Sequence, residues 1–138
     1  MTTNEVFARV AAAEELVAAA CAAVAEWVPD CKRELSVLAE EHLRVAVRFA
    51  AKPRRWLKLR MAINAMLATA VGTRLGVLAW LRTQEQRLVD AYVALEASPL
   101  FDDDERRQLR RALVPAAFER FSRVDQLIMT REEEGVYA

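Results

Sequence analysis

Glycine and proline are scarce in this sequence, at 3 and 4 of 138 residues, so few positions favour a tight turn or a helix break. Apolar residues make up 54% of the chain, and many of them are alanine. Because alanine has the highest helix propensity, this composition predicts an all-α protein built from long helices. The length suits one hydrophobic core, which predicts a single domain over residues 1–131 and a polar, frayed tail over 132–138.

Net charge and a targeting signal are also lacking. Twenty basic side chains balance twenty acidic ones, which removes the electrostatic basis for nucleic-acid binding. Residues 1–5 do not have the basic and apolar regions of a secretory signal, so a cytoplasmic location is expected. Cys21 and Cys31 are predicted to lie about 9 Å apart along neighbouring helices, beyond the roughly 7 Å limit for a disulfide, and are expected to be thiols.

The first part of the chain predicts a helical hairpin. Thr2 and Glu5 have the spacing of a capping box, and apolar residues then recur every three or four positions, which indicates a helix over about 3–28. Pro29 ends this helix. Asp30 is a suitable N-cap for a second helix that runs antiparallel to the first.

The rest of the chain predicts one short helix and two long ones. The short helix is expected over 54–71, the third long helix after an N-cap at Thr73, and the fourth after a capping box of Asp102 and Glu105, with a kink at Pro115. Short turns join helix 1 to 2 and helix 3 to 4. The connectivity therefore predicts a ferritin-like antiparallel four-helix bundle with a short helix in the crossover between helices 2 and 3.

Three stretches of the chain resemble parts of a known family. They are the alanine-rich "RMAINAMLATAVG", the helix "RTQEQRLVDAYVALEAS" with an acid before a tyrosine, and the closing helix "DDDERRQLRRALVPAAFERFSRVDQL". In these stretches the chain resembles the small bacterial ferritin-like four-helix-bundle proteins of unassigned function, most strongly from Trp56 to Leu127. The resemblance implies the same bundle fold, and it directs attention to the position where ferritin-like proteins bind two metal ions.

The resemblance implies a defined ligand set at that position. A ferritin-like di-iron site needs one inward glutamate on each of two helices and Glu-x-x-His on the other two. Glu15 and Glu85 match the single glutamates, and Glu41 and Glu119 begin the other two motifs, but Arg44 and a serine stand where the histidines are required. Arginine cannot ligate a cation. The two-histidine site is therefore absent, and ferroxidase or oxygen-activating chemistry is not predicted.

His42 is the only histidine of the chain and falls on the apolar seam of helix 2, facing Glu85 on the seam of helix 3. One interpretation is a residual single-metal site of His42 and Glu85 with Glu15 or Glu41, and with Glu119 as a further candidate ligand. The other is a buried histidine–glutamate hydrogen bond that fixes the register of the helices. The second is favoured because one histidine is too few for most transition-metal sites.

A basic stretch comes just before the apolar stripe of the short connecting helix. This pattern is typical of an amphipathic helix on an anionic membrane surface. It is also what a connecting helix packed on the bundle would show, with its basic side chains in solvent, and this second interpretation is favoured because the fold already needs a helix there. The basic residues are Lys52, Arg54, Arg55, Lys58 and Arg60.

The sequence thus favours a non-catalytic binding or structural module with a degenerate metal site and no resident cofactor. It contains neither an activated nucleophile nor a phosphate-binding loop. Two alternatives stay open: a metal-dependent redox or iron-handling protein that holds one iron or manganese ion with an atypical ligand set, and a membrane-surface module. The 54% apolar content exceeds what a small bundle easily buries, which predicts a homodimer; an unidentified protein partner is also open.

Overall fold

The computed structural model describes residues 2–49, 55–70 and 72–135, and this part of the chain is helical without any strand. The all-α prediction is therefore confirmed. A 3₁₀ turn at Pro29–Cys31 precedes the second helix, and a π-helical turn at Leu109–Leu113 joins the fifth helix to the sixth. The helices are α1 (Thr3–Trp27), α2 (Lys32–Phe49), α3 (Trp56–Ala70), α4 (Arg74–Glu96), α5 (Asp103–Gln108) and α6 (Val114–Glu134).

Side-chain caps fix where three of these helices begin. Thr2 and Glu5 form the predicted capping box at α1, and Asp102 and Glu105 form the predicted one at α5. Thr73 accepts a hydrogen bond from the backbone N–H of residue 76 at the start of α4. Each cap satisfies backbone donors that have no partner within the helix, which explains why these starts could be read from the sequence.

Asp30 does not act as the N-cap predicted for α2. The chain makes the Pro29–Cys31 turn first, α2 starts at Lys32, and the Asp30 carboxylate accepts a hydrogen bond from Arg131 at 3.3 Å. The predicted connecting helix over 54–71 corresponds to α3, whereas residues 50–54 and 71 lie outside the described part of the chain.

The irregularity predicted at Pro115 lies one turn before it. Proline has no N–H, so the carbonyl four residues earlier has no helical donor. The π-helical turn at Leu109–Leu113 accommodates this change, with the N–H of Val114 bonded to the carbonyl of Leu109. The frayed tail predicted over residues 132–138 stays a prediction; α6 continues to Glu134 and ends at Gly135 with φ 65°. That left-handed conformation suits glycine.

Helix α1 lies centrally, in contact with α2, α3 and α4, while α4 also contacts α6. Its alanines leave little side chain between neighbouring backbones, and Ala18, Ala19, Ala20 and Ala23 have no exposed surface. This close packing buries α1 on more than one face, so that polar residues within it are also removed from water. Among the described helices, none has both the length and the apolar character needed to cross a bilayer.

Candidate functional site

His42 lies at the centre of a buried polar cluster. Its Nδ1 is 2.5 Å from Glu14 Oε2, and its Nε2 is 2.7 Å from Glu85 Oε1. Glu14 comes from α1, His42 from α2 and Glu85 from α4. Glu14 and His42 have no exposed surface, and Glu85 is 1% exposed. Each of these hydrogen bonds therefore replaces one that water would otherwise make.

A second layer of hydrogen bonds holds Glu14 in place. Its Oε1 accepts from the Tyr92 hydroxyl at 2.6 Å and from Arg120 at 3.3 Å. Tyr92 belongs to α4 and Arg120 to α6, and both are buried. One carboxylate of α1 is thereby joined to side chains from α2, α4 and α6.

Cys21 adds a sulfur to the other end of the cluster. Its thiol donates to Glu85 Oε1 at 3.7 Å, and donor atoms of Cys21, His42 and Glu85 all lie within 4.8 Å of one another. The second oxygen of Glu85, Oε2, is buried and has no hydrogen-bond partner among the described residues. A buried carboxylate oxygen without a partner is costly and calls for an explanation.

The pKa values of the cluster show which groups keep their protons. Burial lowers the pKa of His42, but hydrogen bonds to Cys21, Glu14 and Glu85 raise it, and the net pKa is well above the ordinary 6.5. Near neutral pH the imidazole is thus protonated and donates both N–H groups to carboxylates. With the Arg120 guanidinium, two positive charges face the two carboxylates. The cluster is electrically balanced, which lowers the cost of burying it.

The thiol and the phenol of the cluster are both protonated. Burial raises the pKa of the Cys21 thiol to about 11, and burial together with the charge of Glu14 raises the pKa of Tyr92 above its ordinary value. Both groups therefore act as hydrogen-bond donors to the carboxylates. Cys21 and Cys31 are buried and do not form a disulfide, as predicted.

Of the candidate ligands named from the sequence, the structure brings together only His42 and Glu85. Glu15 is buried but accepts a hydrogen bond from the backbone N–H of Arg55 at 2.7 Å instead. Its neighbour Glu14 takes the helix 1 position assigned to Glu15, because consecutive residues point about 100° apart around a helix.

The other two candidate carboxylates belong to a separate ion-pair group. Arg123 lies 2.7 Å from Glu41 and 3.5 Å from Glu119, at the partly exposed edge between α2 and α6. Ion pairing to Glu41 and Glu119 outweighs partial burial and raises the pKa of Arg123, so the guanidinium stays charged. Neither carboxylate faces His42, and the assignment of Glu41 and Glu119 as ligands of the same site is corrected accordingly.

Sequence reasoning did not identify Glu14, Cys21 or Arg120 as members of the cluster. A usable signal existed in α1, where Glu14 and Cys21 are seven residues apart and follow Val10 and Val17 by four each. Such spacing places them on the same helix face as those buried valines. Arg120 had no comparable signal, because it lies in a run of charged and aromatic residues.

The basic residues before and within α3 do not form one solvated patch in the described part of the chain. Arg55 and Lys58 are exposed, whereas Arg60 is ion-paired with Glu26 of α1. Lys52 and Arg54 lie outside the described residues.

No protein-family model, curated protein or solved structure matches this chain.

Proposed function

We propose that this chain is a non-catalytic, ferritin-like structural or binding module in which a degenerate metal site serves as a buried polar network that fixes the packing of the helices. In this arrangement α1, α2, α4 and the α5–α6 segment are the four long elements of the bundle, and α3 is the crossover helix. The observation that carries the proposal is the engagement of both imidazole nitrogens of His42 by carboxylates from two other helices.

The residues present do not fit a dinuclear iron centre. Such a centre needs four carboxylates and two imidazoles around a shared cavity. The cluster has one imidazole and two carboxylates, and Glu41 and Glu119 are paired with Arg123. Arg120 also places a guanidinium against Glu14, where a second cation would be repelled. The chemistry that two irons would support is therefore not assigned to this chain.

The cluster is instead suited to selecting one helix register. Sliding α2 by one turn against α1 and α4 would move His42 about 5.4 Å away from both carboxylates, leaving Glu85 buried without a cation and Glu14 with Arg120 alone. Because unpaired buried charges are costly, such alternative packings are penalised far more than in a purely apolar, alanine-rich interior. The smooth surface of the alanines would otherwise discriminate poorly between registers.

Iron oxidation tests the non-catalytic part of the proposal. Fe²⁺ added under air is expected to oxidise at the same rate with and without the protein, because the chain lacks a second imidazole and spare carboxylates at the cluster. The measurement is the absorbance of ferric products during stopped-flow mixing. Protein-dependent oxidation that saturates at two irons per chain, and that Glu85→Gln abolishes while Glu119→Gln does not, would contradict the proposal.

Self-association is a second proposal, and the surface of α3 supports it. Leu57 and Met61 are 65% and 64% exposed, more than any other large apolar side chain in the described part of the chain. They are four residues apart and so lie on one helix face. A second copy of the chain is the favoured occupant of this face, since the nearby Arg60 is already neutralised by Glu26 and attraction to anionic lipid is correspondingly reduced.

Sedimentation tests this dimer. The full chain is expected to dimerise at micromolar concentration, and Leu57→Ser combined with Met61→Ser is expected to weaken the dimer at least about ten-fold, since two apolar side chains per subunit stay in water. Val47→Ser, at another exposed apolar position, is the matched control and should leave it unchanged. A monomer at all concentrations, or a monomer that co-sediments with anionic vesicles, would overturn the proposal.

A further inference from the structure

Three different metal-ligand atom types meet at one point inside the bundle. The Cys21 sulfur, a His42 nitrogen and a Glu85 oxygen lie within 4.8 Å of one another, and all three side chains are buried. They come from α1, α2 and α4, so the packing of the helices, not a local loop, brings them together. Glu85 Oε2 is buried and has no partner within residues 2–49, 55–70 and 72–135, although a buried carboxylate oxygen normally finds one.

We propose that Cys21, His42 and Glu85 form a mononuclear site for a thiophilic divalent cation of the Zn²⁺ class. This inference deepens the proposed function, because it rests on the same cluster and specifies the ion that the degenerate site accepts. The ion is bound by the thiolate of Cys21, by Nε2 of His42 and by the carboxylate of Glu85. The otherwise unpartnered Oε2 gives the carboxylate a second oxygen for the ion.

The two distances from Glu85 Oε1 to the other donor atoms need only a small adjustment to admit the ion. Tetrahedral Zn²⁺ bonds of 2.0 to 2.3 Å hold their ligand atoms about 3.3 to 3.7 Å apart. The Cys21 Sγ to Glu85 Oε1 distance is already 3.7 Å. The His42 Nε2 to Glu85 Oε1 distance is 2.7 Å and must open by about 0.6 Å, which is what replacing a hydrogen bond by a shared cation requires.

Charge is conserved when the ion enters. One proton leaves the Cys21 thiol and one leaves Nε2 of His42, both passing to solvent, while a cation of charge +2 takes their place. The buried cluster therefore keeps the electrical balance that it has without the ion. A trivalent ion would leave an uncompensated positive charge in the interior.

Glu14 acts as a positioning residue for this site. It holds Nδ1 of His42 at 2.5 Å and is itself held by Tyr92 and Arg120. A carboxylate on the far nitrogen of a metal-binding histidine fixes the tautomer and the ring orientation, so that Nε2 is directed at the ion. The mixed sulfur, nitrogen and oxygen ligand set favours Zn²⁺ or Co²⁺ over Mg²⁺ and Ca²⁺, which prefer oxygen ligands alone.

Cobalt is the spectroscopic probe for this site. The metal-free chain is titrated with Co²⁺ without oxygen in two ways, as the folded protein with long equilibration and during refolding, because the ligands are sealed from solvent. The expected result is one Co²⁺ per chain, a thiolate-to-cobalt charge-transfer band, visible bands of tetrahedral intensity, and displacement of the ion by Zn²⁺. Cys21→Ser should abolish the charge-transfer band, and Glu14→Gln should weaken binding about 10- to 100-fold.

Two matched variants control for general damage to the fold. Cys31→Ser changes the other buried cysteine, and Glu15→Gln changes the neighbouring buried glutamate; both should keep the cobalt spectrum. His42→Gln gives a second test if Cys21→Ser does not fold, as judged by circular dichroism. The inference is overturned if neither loading route gives a thiolate band, or if Cys21→Ser or a folded His42→Gln protein retains the wild-type spectrum.

The result separates this inference from the proposed function. If the cobalt bands are absent and iron oxidation does not depend on the protein, the proposed ion-binding site is excluded. The proposed structural role of the cluster is then unaffected. Protein-dependent oxidation of two irons per chain would contradict the proposed function, whatever the cobalt spectrum shows.

Discussion

Replacing His42 by leucine is expected to destabilise the chain by about 3–5 kcal/mol, because it leaves Glu14 and Glu85 buried without the cation that lies between them. Leucine has a similar volume, so the loss reports the charge rather than a cavity. For a domain of this size, the same change should lower Tm by more than about 10 °C. Urea unfolding of the metal-free protein, followed by circular dichroism, measures the effect.

Two comparisons make this expectation specific to the buried charges. Arg44→Leu, on a 72% exposed side chain of the same helix, should change stability by no more than about 0.5 kcal/mol. Adding Glu14→Gln and Glu85→Gln to His42→Leu should recover part of the loss, since a neutral amide costs less to bury than an unpaired carboxylate. Equal losses for His42→Leu and Arg44→Leu would show that the cluster does not stabilise the fold.

Helix starts were predictable where their chemistry is local. The capping boxes at Thr2 and at Asp102 each need only residues three positions apart, so they could be read without knowing the rest of the fold. Asp30 shows the limit of this reasoning. Its carboxylate pairs with Arg131, which lies more than a hundred positions later in the sequence. This long-range ion pair outweighs the local preference of Asp30 for capping α2.

The candidate site was predictable only in its centre. His42 and Glu85 interrupt otherwise apolar seams, and an isolated polar residue on a seam is a strong sign of a buried partner. Helix α1 gave a weaker signal because its apolar residues occur around much of its circumference, so the spacing that places Glu14 on the face of Val10 and Val17 stands out poorly against them. Cys21 was not recognised because a buried thiol commonly acts as a small apolar side chain.

The second large effect is expected from a comparison of the adjacent glutamates Glu14 and Glu15. Glu14→Ala removes the acceptor of three buried donors, on His42, Tyr92 and Arg120, whereas Glu15→Ala removes the acceptor of one backbone N–H. We expect the first variant to lose at least about 3 kcal/mol and the second about 1 kcal/mol, measured by urea unfolding.

The comparison isolates the network because both residues have the same chemistry, the same helix and nearly the same burial. Glu14 is 0% exposed and Glu15 is 7% exposed, so loss of side-chain packing alone predicts similar effects for the two alanine variants. Any greater loss in the free energy of unfolding for Glu14→Ala must come from the charged and hydroxyl donors that lose their acceptor. Losses equal within about 0.5 kcal/mol would mean that these donors find other partners, and that the hydrogen bonds of Glu14 do not determine how α1 packs on α2, α4 and α6.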